Sequence, residues 1–255
     1  MHTVAAWMRR PLGQPATRGW RYRRGVSGRP FLERSANTER ALTLPRPHLR
    51  GRSHLLAAAV TLPGAVVWIV LAPAGTRLGV AAFGLGMAAM FSFSALLHLR
   101  RWDAATYERF FRLDHTGIYL AIGGTGIAMA LLGLSGWPGV VLLTGMATGA
   151  AVGIVVEWLP FAPPRGFNQG VYLTLGWLPV ALLPWLWWSA GPVTVGLLLV
   201  GGLLYTIGAV VVGTRRPDPW PLWFGYHEIW HLFVIAAVVV HAVMVWQLVA
   251  RAAGG

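Results

Sequence analysis

From residue 54 onward the chain is built of long apolar runs separated by short polar interruptions. Seven runs stand out, at about 54–73, 79–98, 114–134, 138–158, 169–188, 192–213 and 228–249, each near the length a helix needs to cross a bilayer. The pattern predicts an all-α membrane protein with seven transmembrane helices. Pro63, Pro179 and Pro184 fall inside these runs, which lipid-embedded helices tolerate. Trp185, Trp187 and Trp188 close the fifth run and mark an interface belt. Gly139, Gly145, Gly149 and Gly153 give the fourth run a small-residue face of the kind that packs closely on a neighbour.

Composition agrees. Of 255 residues, 56% are hydrophobic and only 11% charged, whereas a soluble domain carries about 25% charged residues. The formal net charge of +13 comes entirely from Arg, since Lys is absent. Twelve of the Arg precede residue 53 and most others lie between apolar runs. That distribution follows the positive-inside rule and argues against a nucleic-acid partner. Residues 1–52 are rich in Arg, Pro and Gly and read as a disordered cytoplasmic tail able to touch anionic lipid headgroups; part of it could precede the true start of translation. No apolar stretch follows Met1, so this is not a signal peptide. The remainder, 53–255, forms one membrane domain. The tail and the 99–113, 159–168 and 214–224 loops together hold 19 Arg, against Arg77 and Arg251 on the other side. The N-terminus is therefore expected in the cytoplasm and, after seven crossings, the C-terminus outside, in the plasma membrane. This is opposite to seven-helix receptors that couple to G proteins.

Topology assigns a depth to each polar residue. The second run ends at His98, the third opens at Asp114-His115, and the seventh opens at His227 and His231, all near the cytoplasmic face. Ionisable residues inside apolar spans are costly, and a shared site is the usual reason for them. His227 and His231 stand four apart, on one helix face, as do Ser94 and His98. There is no Cys, so a metal would rest on His, Asp or Glu. Three neutral imidazoles and a water make a tetrahedral zinc site with an open position. Asp114 suits the task of holding a water as acceptor or general base, and Ser94 that of orienting it or stabilising an oxyanion.

The blocks Ser94-Ala-Leu-Leu-His98, Arg112-Leu-Asp-His-Thr-Gly-Ile-Tyr119 and Gly225-Tyr-His-Glu-Ile-Trp-His-Leu-Phe-Val234 resemble the hemolysin III family, within the progesterone and adiponectin receptor (PAQR) superfamily. Gly170-Val-Tyr-Leu-Thr-Leu-Gly-Trp177 looks like its fifth-span block. The resemblance covers about 54–249, with the blocks in order at matching spans. It implies seven helices, an internal N-terminus, zinc held by His98, His227 and His231, and the family's Ser and Asp at Ser94 and Asp114. In the receptor relatives such a site is linked to ceramide hydrolysis; the family name records a cytolytic activity. Two departures are visible: Leu97 stands where a tyrosine often precedes the second-span His, and Gly123-Gly-Thr-Gly126 replaces a common Thr/Tyr-Pro pair.

Competing readings remain open at this level. His227-Glu-Ile-Trp-His231 matches the H-E-x-x-H signature of metalloproteases, with Glu228 as base, but leaves His98 and Ser94 without a role. His115 lies about 100° around the helix from Asp114 and reads as a supporting or packing residue. His241 reads as a buried hydrogen-bonding residue, and Glu157 and Trp158 as interface markers. The functions in play are an intramembrane zinc hydrolase of lipid amides or esters serving membrane lipid homeostasis, a zinc-stabilised sensor or regulator without catalysis, and a pore-forming cytolysin. No run is amphipathic in the manner of a water-filled pore.

Overall fold

The computed structural model describes Thr43, residues 46–159 and residues 166–254. Among these, every regular element is helical apart from one isolated bridge between Trp220 and Phe224. Seven helical spans are long and apolar enough to cross a membrane. The first four are α1 (Arg52–Leu71), α2 (Arg77–Leu99, led in by the single 3-10 turn Ala74–Thr76), α3 (Ala104–Gly133) and α4 (Gly136–Trp158). The fifth is broken into α5 (Phe167–Trp177), a 3-10 stretch Leu178–Leu182 and α6 (Leu183–Ala190). The last two are α7 (Pro192–Thr214) and α8 (Tyr226–Gly254). The protein is an all-α, multi-pass membrane protein, as the apolar pattern predicts.

The third span differs in extent. It begins ten residues before the expected 114, because Asp103 caps it: its carboxylate accepts the backbone N–H groups of Ala105 and Thr106, both at 3.1 Å. The stretch that follows is too polar to be seen in an apolar scan, yet it is helical. Asp114 therefore sits about 15 Å along α3, three turns in, and not at its mouth. The break in the fifth span falls where Pro179 and Pro184 withhold amide hydrogens.

α3 is the central helix. It packs along α2 on one side and α4 on the other, and also reaches α8. Lipid tails give apolar helices no drive to leave them, so close van der Waals fit must hold the bundle. The α2–α3 seam shows how: a Cβ on Gly124 would run into the Ala82 carbonyl, so the two backbones touch because no side chain intervenes. This is the segment where the chain departs from the expected Thr/Tyr-Pro pair. Around the seam Phe91, Met87, Met129, Leu142 and Met146 are fully buried. α1 is the opposite case. It packs mainly on α2, with a lighter contact to α8, and turns Leu56, Val60, Val67 and Leu71 outward to lipid.

Most of the 1–52 tail lies outside the described residues. Its last stretch, 46–51, is ordered as a turn against the loop before α8. His48 N–H donates to the Leu222 carbonyl at 2.9 Å and Leu49 N–H to that of Trp223 at 3.1 Å, with the His48 and Trp223 rings 4.5 Å apart. Gly51 then adopts φ +79° and leads directly into α1.

Candidate metal centre

Local structure at the start of α8 fixes where two of the histidines point. Glu228 turns back on the helix start and accepts the Gly225 N–H at 2.8 Å, and Asp218 accepts the Tyr226 N–H at 3.1 Å. Two amides at the helix start, which have no partner inside the helix, are thus satisfied by carboxylates. With the register set, His227 and His231 share the face that meets the last turn of α2, where His98 sits.

His98, His227 and His231 each offer a ring nitrogen within 4.8 Å of the others'. The Nε2 atoms of His98 and His227 are 3.1 Å apart. Zinc–nitrogen bonds of 2.0–2.1 Å in a tetrahedron would put such atoms about 3.3 Å apart, so the donor set is close to that spacing. His231 supplies a test of fit. It has no solvent exposure, and neither Nδ1 nor Nε2 has a hydrogen-bond partner. A buried polar atom without a partner is costly, and a cation shared with two more imidazoles is one way to remove that cost. The residues fit a divalent metal, and this buried group could hold one.

Asp114 approaches the trio from α3, with Oδ2 4.0 Å from His98 Nε2. Ser94, one turn before His98, is buried and approaches the Asp114 carboxylate as well. Its Oγ also shares a 2.8 Å hydrogen bond with Nδ1 of His54, on α1. His54 is 3% exposed and lies flat on His231, ring centroids 3.6 Å apart and planes 9° from parallel. All five residues singled out in the sequence thus meet at one end of the bundle, from α2, α3 and α8. His54 is a sixth. The depth rule that selected the others also selects it, since it stands at the head of the first apolar run.

Other polar residues are committed elsewhere. Glu228 is 2% exposed, and its Oε1 receives the Arg50 Nε–H at 2.6 Å while Oε2 holds the Gly225 amide. Both carboxylate oxygens are occupied, which removes Glu228 from the role of base that H-E-x-x-H would give it. Arg50 lies 178 residues away, so no local spacing announces the pair. His115 turns from the trio to Glu157 Oε2 at 3.1 Å, and Asn168 Nδ2 stands 3.2 Å from its Nδ1. Glu157 is therefore a polar partner joining α3, α4 and α5 through His115 and Asn168, more than an interface marker. His241 sits ten residues beyond His231, about 15 Å up the helix, with Nε2 3.5 Å from the Leu198 carbonyl.

Comparison with known proteins adds an independent line. The profile of the family described as Haemolysin-III related matches residues 42–242. The chain is 32% identical over 188 residues to a Bacillus cereus protein named Hemolysin-3, covering 72% of this chain and 82% of that one. It is 28% identical over 187 residues to the Hemolysin-3 homolog of Bacillus subtilis, covering 72% and 84%. It is also 30% identical over 179 residues to the Adiponectin receptor protein of Drosophila melanogaster, covering 63% of this chain but 40% of that longer one.

Proposed function

The chain belongs to the haemolysin-III related family of the PAQR superfamily, and on that premise we propose that it is a zinc-dependent hydrolase of lipid amide or ester bonds. The observation that carries this reading is the convergence of three imidazoles with one carboxylate in apolar spans, all buried but the half-buried His227. His98, His227 and His231 would hold the ion, which when bound supplies a Lewis acid able to polarise a carbonyl.

The remaining chemistry falls to side chains. Asp114 Oδ2 takes a proton from the attacking water and returns it to the leaving amine or alcohol. Ser94 Oγ, held between His54 and Asp114, orients that water or hydrogen-bonds the oxygen on which charge develops. The substrate is a lipid because the site is walled by membrane-spanning helices. With the excess of Arg at the histidine end, the positive-inside rule would assign the site to the cytoplasmic leaflet, and the Arg-rich tail would rest on anionic headgroups there.

The test is metal analysis of detergent-purified protein, wild type beside His231→Ala, followed by turnover on a panel of ceramides, acyl amides and phospholipids. One zinc per chain in the wild type, lost in His231→Ala, together with release of fatty acid, is expected. Stoichiometric zinc without turnover on any member of the panel would refute the hydrolase.

A second reading has one observation in its favour. α2 and α8 touch little along their length, so a metal across His98, His227 and His231 would be a principal tie between them. In that case the protein is a zinc-clamped sensor of lipid state, and chelator lowers its melting temperature with no catalytic signal to lose.

A further inference from the structure

A metal-ligating histidine is ordinarily held in plane by a hydrogen bond from its second ring nitrogen to a carboxylate or carbonyl. His231 has no such bond: both ring nitrogens are buried and without a partner. A ligand whose ring could turn freely about its Cβ–Cγ bond would present its lone pair in many directions. The rings of His227, Trp230 and His98 meet that of His231 edge-on or tilted, and the one that lies flat on it is His54, parallel at 3.6 Å.

His54 is itself restrained. Its Nδ1 is bonded to Ser94 Oγ at 2.8 Å, and the Phe91 ring meets it edge-on with centroids 5.0 Å apart. Its Nε2 is buried without a partner and lies outside the group of three whose nitrogens converge. Two parallel rings in face contact also present their in-plane lone pairs side by side, not toward a common point. His54 is therefore placed as a support and not as a fourth ligand.

We propose that His54 is a positioning residue for the metal centre: anchored by Ser94, it fixes the plane of the His231 imidazole and so the direction of that ligand's lone pair. The proposal rests on the metal-binding part of the reading above, but not on hydrolysis. It makes α1, which packs mainly on α2, a part of the site.

The experiment is titration of the full-length detergent-solubilised protein with Co2+ against a chromophoric chelator, with the visible absorption of the bound ion as a second readout. Wild type, His54→Ala, His54→Leu and His54→Phe are compared, each checked for folding by its elution profile and melt. His54→Ala is expected to keep one ion per chain but bind it roughly 10- to 100-fold more weakly, the usual loss when the support of a ligand is removed, with shifted absorption bands. His54→Phe, which keeps a ring face without nitrogen, should recover most of the affinity and the wild-type bands.

Wild-type affinity and bands in His54→Ala would overturn the proposal, as would a folded His54→Phe no better than His54→Ala. Should His54→Ala fail to fold, His54→Leu takes its place under the same two criteria. If the wild type takes up no Co2+ that depends on His98, His227 and His231, the metal centre itself is refuted, an outcome distinct from both.

Discussion

Replacing Glu228 by Gln separates a structural carboxylate from a catalytic one. Gln has nearly the same shape but one acceptor oxygen where Glu has two. In the native protein both are used, on Arg50 Nε at 2.6 Å and on the Gly225 amide at 2.8 Å. Whichever bond the Gln oxygen keeps, its NH2 must face the other donor. The loss is one hydrogen bond of a charged group, on the order of 1.5–3 kcal/mol. The lower part of that range applies, because the Arg50 side chain is 19% exposed and water can solvate it once unpaired. The assay is a thermal melt in detergent beside metal analysis. A melting temperature lower by several degrees is expected, with metal content unchanged, since Glu228 touches none of the three histidines' donor nitrogens. Arg50→Ala should show a similar deficit, and the double variant less than the sum of the two, as for any directly coupled pair. Hydrolysis abolished in Glu228→Gln without a shift in the melt would refute this reasoning and restore Glu228 as a base.

Three further outcomes follow from the same geometry. Gly51→Ala should destabilise the protein and weaken metal binding together, because the residue sits at φ +79° and a Cβ there would stand 2.7 Å from that of His98; a melt and a metal titration check both. Asp114→Asn should retain the ion while turnover falls by about 10²- to 10⁴-fold, the range for loss of a general base, so retained turnover would remove Asp114 from the mechanism. At Asp103, hydrogen bonds from Thr106 and the Ala105 amide hold the carboxyl below its usual range. Its capping contribution is therefore complete above the unfolded-state value and lost as pH falls through the lower native one, and acid should lower the exchange protection of the Ala105 and Thr106 amides, relative to their intrinsic rates, before that of the middle of α3.

The spans and the three histidines were legible because each rests on a local signal. Apolar length marks a crossing, spacing of four puts His227 with His231, and Arg asymmetry assigns Asp114 and His98 to one depth. What was hidden depends on contacts that no window contains. The first ten residues of α3 carry too many charges to register as a span, and only the Asp103 cap betrays them. Glu228 looks like half of a protease signature until Arg50 is found across from it. His54 obeys the same depth rule as the other histidines, yet lacks a partner at helical spacing and so stands unremarked at the head of its run.

His98 and His227 are separated by 129 residues of chain. At a translation rate of about 5–20 residues per second, the nascent polypeptide carries His98 for roughly 6 to 26 seconds before His227 and His231 are made. A product terminated ahead of Tyr226 has only His98 of the three. Capture of an ion by all three would thereby wait until the head of α8 has been made, and occupancy by a cation would become a mark that synthesis reached the last span.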